Sequence, residues 1–117
     1  MNGRQPPSAQ TCFERGLAYA RRGELAQALD HFTQALELDP DHRDAHFHRG
    51  NAYAVTGRLD EAVADFTEAI RLDPEFAPAR HNRGLAHADS GAHTDAVADY
   101  FARRRKARQS RTRGRKS

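Results

Sequence analysis

Apolar and small side chains recur three and four residues apart through most of this chain, and glycine or proline interrupts them at regular intervals. In "AQALDHFTQAL" (26–36) and "AVADFTEAI" (62–70) the apolar positions share one face of a helix. Each stretch runs out shortly before a proline, Pro40 or Pro74, which cannot continue a helix. Gly23, Gly57 and Gly91 lie ahead of these segments, where a left-handed residue would close one helix and let the chain reverse. The pattern predicts pairs of amphipathic helices joined by tight turns. A third second helix starts near Thr94 with "DAVADY" (95–100).

The interruptions are periodic. "ERGLAY" from Glu14, "HRGNAY" from His48 and "NRGLAH" from Asn82 each begin 34 residues after the one before. Aligned on Gly16, Gly50 and Gly84, the chain repeats Tyr19, Tyr53 and His87, then Gly23, Gly57 and Gly91. Next come Ala28, Ala62 and Ala96, then Phe32, Phe66 and Tyr100. Ala35 with Ala69, and Pro40 with Pro74, complete two copies; Arg103 and Arg108 take those places in the third. A two-helix unit cannot cover its own apolar face, so the copies must stack. The small residues Gly16, Gly50 and Gly84 are expected to admit the second helix closely, opposite Ala28, Ala62 and Ala96.

In its period, its Gly-x-x-Tyr step, its mid-repeat Gly, its Ala-x-x-x-Phe step and its closing Asp-Pro, residues 9–100 resemble the tetratricopeptide repeat (TPR). The usual aromatic at the head of the first helix is replaced by Cys12, His46 and Arg80, and the third copy departs after Tyr100. The resemblance implies an all-α, right-handed superhelical stack, an α-solenoid. The expected organisation is a flexible N-terminus (1–8), an array over 9–108 with repeats of about 9–42, 43–76 and 77–108, and a disordered basic tail (109–117). It also implies a non-enzymatic interaction scaffold whose first helices line a concave groove for a peptide or partner helix, although fold alone assigns no function.

By that similarity the groove residues are Phe13, Leu17 and Arg21; Phe47, His48, Asn51 and Val55; and His81, Asn82, Leu85 and Asp89. Asn51 and Asn82 would hydrogen-bond a peptide backbone, and Phe13, Leu17, Phe47 and Leu85 would hold apolar side chains. Phe13 and Phe47 fit packing against a neighbouring helix equally well. Family members that grip the acidic C-terminus of heat-shock chaperones use a Lys and Asn, an Asn, then a Lys and Arg. The matching places here are Phe13 and Leu17, His48, then Pro78 and Asn82. Starting one repeat later recovers Asn51 and Asn82 but puts Phe47 in place of the Lys. Without those cations a dicarboxylate has no charge-assisted partners. A neutral or mildly apolar ligand is expected instead.

Charge divides the chain. Of 19 basic residues, nine fall in residues 103–117 (Arg103, Arg104, Arg105, Lys106, Arg108, Arg111, Arg113, Arg115 and Lys116), with no acid among them. The preceding 102 residues hold ten basic and 16 acidic side chains, a net charge of −6. The tail offers an alternative function, binding nucleic acid through phosphates or docking on an acidic surface. It carries no aromatic residue on which bases would stack. In a eukaryote it would equally serve as a nuclear localisation signal. The third copy's missing cap leaves Ala96, Tyr100 and Phe101 as a possible self-association surface, or the array as a shortened form of a longer one.

No catalytic constellation appears. There is no phosphate loop and no Gly-x-Ser-x-Gly elbow, and "HRD" (42–44) lacks the Asn of a kinase catalytic loop, Arg49 standing in its place. His42, His46 and His48 have no Cys or Glu at a supporting spacing, so neither metal nor cofactor is expected. Cys12, the single cysteine, excludes an internal disulfide and reads as a small inward-facing side chain. With no apolar run long enough to span a bilayer and no signal sequence in "MNGRQPPSAQ", the expected location is cytoplasmic.

Overall fold

The structure, a computed structural model, describes residues 5–90. These form five helices: α1 (Ala9–Arg21), α2 (Leu25–Leu38), α3 (Arg43–Val55), α4 (Leu59–Leu72) and α5 (Ala77–Ser90). α1–α2 and α3–α4 are the two complete helix-turn-helix units, and α5 begins the third. The expected second helix of that unit, its open end at Ala96, Tyr100 and Phe101, the turn at Gly91 and the basic tail lie outside the described residues.

Local chemistry sets the boundaries. Ser8 caps α1, its Oγ accepting from the Thr11 amide at 3.1 Å. α1 and α3 end at Gly23 and Gly57, with φ of 76° and 82°, as their spacing predicts. At each end the glycine N–H bonds back to Ala20 or Ala54, and the next N–H reaches the carbonyl of Tyr19 or Tyr53. This double closure is the Schellman arrangement, which satisfies carbonyls the helix leaves unpaired. α2 and α4 stop just before Asp39-Pro40 and Asp73-Pro74. The Asp39 and Asp73 carboxylates accept from the amides two residues on, at 3.1 and 3.2 Å, and turn the chain.

Packing follows sequence order: α1 on α2, α2 on α3, α3 on α4, α4 on α5. The core is built from alanine and phenylalanine. Ala28, Ala35, Ala45, Ala62, Ala69 and Ala79 have no exposed surface, nor do Phe32 and Phe66. Helices faced with alanine approach closely, and the two rings fill what remains. Gly16 and Gly50 admit these rings as their nearest neighbours. A Cβ on Gly16 would stand 2.5 Å from Phe32 Cδ1, and one on Gly50 2.7 Å from Phe66 Cε1. Cys12 is fully buried, as its position predicts.

α1 also touches α3, and α3 touches α5, whereas α2 and α4 make no contact. The first helices are thus crowded and the second splayed, so the stack curves with α1, α3 and α5 on its inner face. None of these helices is long and apolar enough to cross a membrane.

Candidate functional site

The expected groove residues fall on the inner helices, four of them on α3. Residues 47, 51 and 55 lie four apart, so one side of that helix presents Phe47, Asn51 and Val55. Four of the expected residues surround one cavity of about 340 Å³: Asn51 and Val55 from α3, Asn82 and Leu85 from α5. Ala54, Phe66 and Ala86 complete its lining. Val55 is 74 % exposed and Leu85 36 %, leaving two apolar side chains at the mouth.

The two amides meet. Asn82 Nδ2 donates to Asn51 Oδ1 at 2.8 Å. An amide has two donors and an acceptor oxygen with two lone pairs. The Asn51 NH2 and the Asn82 oxygen therefore remain for a third group, a donor beside an acceptor. Among the described residues, no Lys or Arg lines this cavity.

The other expected residues distribute differently. Phe13 is removed from the groove: at 6 % exposure it lies in the core, with ring centroids 5.9 Å from Phe32, 4.8 Å from His42 and 5.5 Å from His48. The physical reason is the start of α3, where its N-cap His42 and its own His48 close over the ring. Leu17 is half-buried against the same core and Arg21 is exposed at the end of α1. Phe47 is half-buried, edge-on to Phe76 at 5.1 Å and 6.0 Å from Phe66, so it supports the groove wall. His48 is half-buried beside Phe13 and Phe47. Burial holds its pKa below the usual histidine value, so the ring is neutral at pH 7. His81 is exposed on α5, and the side chain of Asp89 lies outside the described residues.

Sequence reasoning missed Phe66, Ala54 and Ala86 as lining. Phe66 was legible as core, but its ring reaches the groove across Gly50, a contact that period alone does not reveal. Ala54 and Ala86 were within reach, since each lies three or four residues from an expected groove residue. The three closely spaced histidines are occupied within the protein. His42 Nδ1 accepts from the Ala45 amide at 3.0 Å and its Nε2 meets Gln10. His46 is bound to Asp65 and Pro40.

A curved stack of helix-turn-helix units with its cavity on the inner helices defines an all-α helical-repeat solenoid. The profile described as "Tetratricopeptide repeat" matches residues 13–77 and 56–110, and the chain belongs to that family. No curated protein matches it significantly. Among solved structures it is similar to MamA (28 % identity, TM-score 0.75, 81 % of this chain and 51 % of that one). It is similar to the first TPR of Spaghetti (RPAP3) bound to the HSP90 peptide SRMEEVD (26 %, TM-score 0.67, 68 % and 64 %). It also resembles YrrB, described as a TPR protein with an unusual peptide-binding site (26 %, TM-score 0.73, 80 % and 48 %). The chain thus spans about half of the MamA and YrrB chains.

Proposed function

We propose that this protein is a non-catalytic interaction module that binds an extended, uncharged peptide segment across α3 and α5. One observation carries the reading: Asn51, Val55, Asn82 and Leu85 surround a single cavity whose lining holds no Lys or Arg among the described residues. An extended chain offers a carbonyl to Asn51 Nδ2 and an N–H to Asn82 Oδ1, while one apolar side chain enters between Val55, Leu85 and Phe66. The likeness to two peptide-binding TPR structures supports the class of ligand. The acidic peptide in the Spaghetti complex does not suit this groove, because its carboxylates would meet amides and methyl groups where charge-assisted donors are needed.

Peptide display selection on the full chain, followed by anisotropy measurements, tests this. Selected sequences are expected to be uncharged with one apolar anchor. Asn51→Ala is expected to weaken them by up to about tenfold, the worth of one hydrogen bond. Val55→Asp is expected to weaken them further. Ending the chain at Ala102 should change little. Selection of acidic peptides, or indifference to both substitutions, would overturn the proposal.

The nine cations of residues 103–117 favour a second reading, in which the array presents a basic arm to nucleic acid or an acidic surface. Binding would then vanish on truncation at Ala102. On nucleic acid it would fall by about 0.7–0.9 log units per log unit of salt for each phosphate contacted. Peptide binding in the groove should show neither behaviour.

A further inference from the structure

Two polar side chains are buried among the alanines and phenylalanines, and they touch: His46 at 8 % exposure and Asp65 at 3 %. The His46 ring presents Nδ1 to Asp65 Oδ1 at 3.1 Å and Nε2 to the Pro40 carbonyl at 2.8 Å. Arg49 grips the same carboxylate with both arms, Nε to Oδ2 and Nη2 to Oδ1, each at 2.8 Å. Its third donor, Nη1, reaches Thr33 Oγ1 on α2 at 3.2 Å. A carboxylate held this way by a guanidinium is ionised and accepts only. Both imidazole nitrogens therefore face acceptors. A neutral ring has one N–H, and its other lone pair would point at an oxygen. The imidazolium alone satisfies both contacts.

The cluster joins α2, the α2–α3 connection, α3 and α4, the seam between the first and second repeats. It is not a requirement of the two-helix unit. Thirty-four residues earlier, Cys12, Arg15 and His31 occupy the places of His46, Arg49 and Asp65, and that unit folds without the arrangement. There Cys12 is a small core residue and His31 stacks on Tyr19 at 5.2 Å.

We propose that His46 is carried as an imidazolium in the folded array at neutral pH, and that its loss of a proton loosens the seam between the first two repeats. The proposal is independent of what the groove binds. Burial is the largest influence on the ring and disfavours the charge. The hydrogen bonds to Asp65 and Pro40, with the charge of Asp65, outweigh burial and the repulsion of Arg49, so the pKa is raised. Asp65 from α4 and Arg49 from α3 are the charged groups acting on it. From α2 comes the neutral Thr33 hydroxyl, through Arg49, and no charged group of α1 or α5 contributes among the described residues.

The sign follows from linkage. A folded pKa above the free value of about 6.5 gives stability that is complete below that pH and lost as pH rises through the raised value. His48, with its lowered pKa, acts oppositely: its contribution is present above about 6.5 and lost as pH falls. The two windows lie on opposite sides of that pH.

Nitrogen-detected NMR of the full chain, with urea unfolding from about pH 6.5 to 8.5, tests the proposal. Both His46 ring nitrogens should be protonated at pH 7, and the ring should titrate above the free value. The amides of Asp41 and His42, next to the Pro40 carbonyl, should shift with it. The unfolding midpoint should fall across that range in the wild type and fall less in His46→Cys under reducing conditions. That variant restores the first repeat's residue and leaves Asp65 paired with Arg49. A ring that titrates at or below the free value, seam amides that ignore its titration, or an equal pH slope in the variant would overturn the proposal. Should the variant fail to fold, the wild-type titration still decides.

Discussion

Gly16 and Gly50 occupy equivalent places in the two complete repeats, each under a phenylalanine ring that has no exposed surface. A methyl group at either position would overlap carbons of a fully buried ring. Gly16→Ala and Gly50→Ala are therefore expected to destabilise by about 1–3 kcal/mol through overpacking, against the helix preference that normally favours alanine. Urea titration of each variant checks this; a neutral or stabilising result would mean that the rings relocate. Gly57 poses the opposite problem. Nothing lies within 4 Å of its missing Cβ, but its φ of 82° strains any other residue. Gly57→Ala is expected to cost about 1–2 kcal/mol from backbone conformation alone. His48 supplies a pH test at the same scale. With its pKa lowered by burial beside two phenylalanines, the chain should lose stability as pH falls below about 6.5. A His48→Phe variant should lose less over that interval in thermal melts.

The helices show how local chemistry and contacts between helices share the work. The ends of α1 and α3 are complete within a few residues, since Gly, the preceding Tyr carbonyl and the following amide make the closure by themselves. The start of α1 is equally local, and Ser8→Ala is expected to cost about 1 kcal/mol, visible as fraying of the first turn in amide exchange. The entry to α3 depends on the far end of its own repeat. Arg43 Nη1 bonds Asp73 Oδ2 at 2.6 Å, and the guanidinium lies 4.2 Å from the Phe76 centroid. The pair is about one-third exposed, so Arg43→Ala is expected to cost only about 0.2–1 kcal/mol, less at high salt. A larger loss in urea titrations would show that the stacking on Phe76, not the ion pair, holds α3 to the end of α4.

At the scale of the whole molecule, curvature gathers side chains from different repeats. α1, α3 and α5 crowd together while α2 and α4 stand apart, and the inner face so formed brings Asn51 within hydrogen-bonding distance of Asn82, 31 residues on. Both residues were expected on the inner helices from the family resemblance, and both line the cavity. Their mutual bond was not expected, because it depends on the angle at which one unit sits on the next. Phe13 shows the same limit from the other side. By period it is equivalent to Phe47, but only Phe13 has His42 and His48 closing over it, so one becomes core and the other groove wall. If groove and array act as one body, Gly50→Ala should weaken peptide binding along with stability, since Phe66 lines both the core and the cavity.

The sequence by itself determined the repeat, the helix ends and the family, because these rest on periods and turn chemistry that complete themselves within one unit. It placed Gly23, Gly57, Pro40 and Pro74 correctly and marked Cys12 as core. Tertiary structure decided which repeated positions became equivalent in fact. His46 and Asp65 are 19 residues apart, and the sequence marks neither as charged and buried together. That pairing forms between the two helices of one unit, but its contacts to Pro40 and Thr33, the withdrawal of Phe13 and the entry of Phe66 into the groove wall depend on how one helix pair stacks on another. Such contacts are set by side-chain shape at the seam, where neighbouring repeats differ in sequence, and a period describes only what they share.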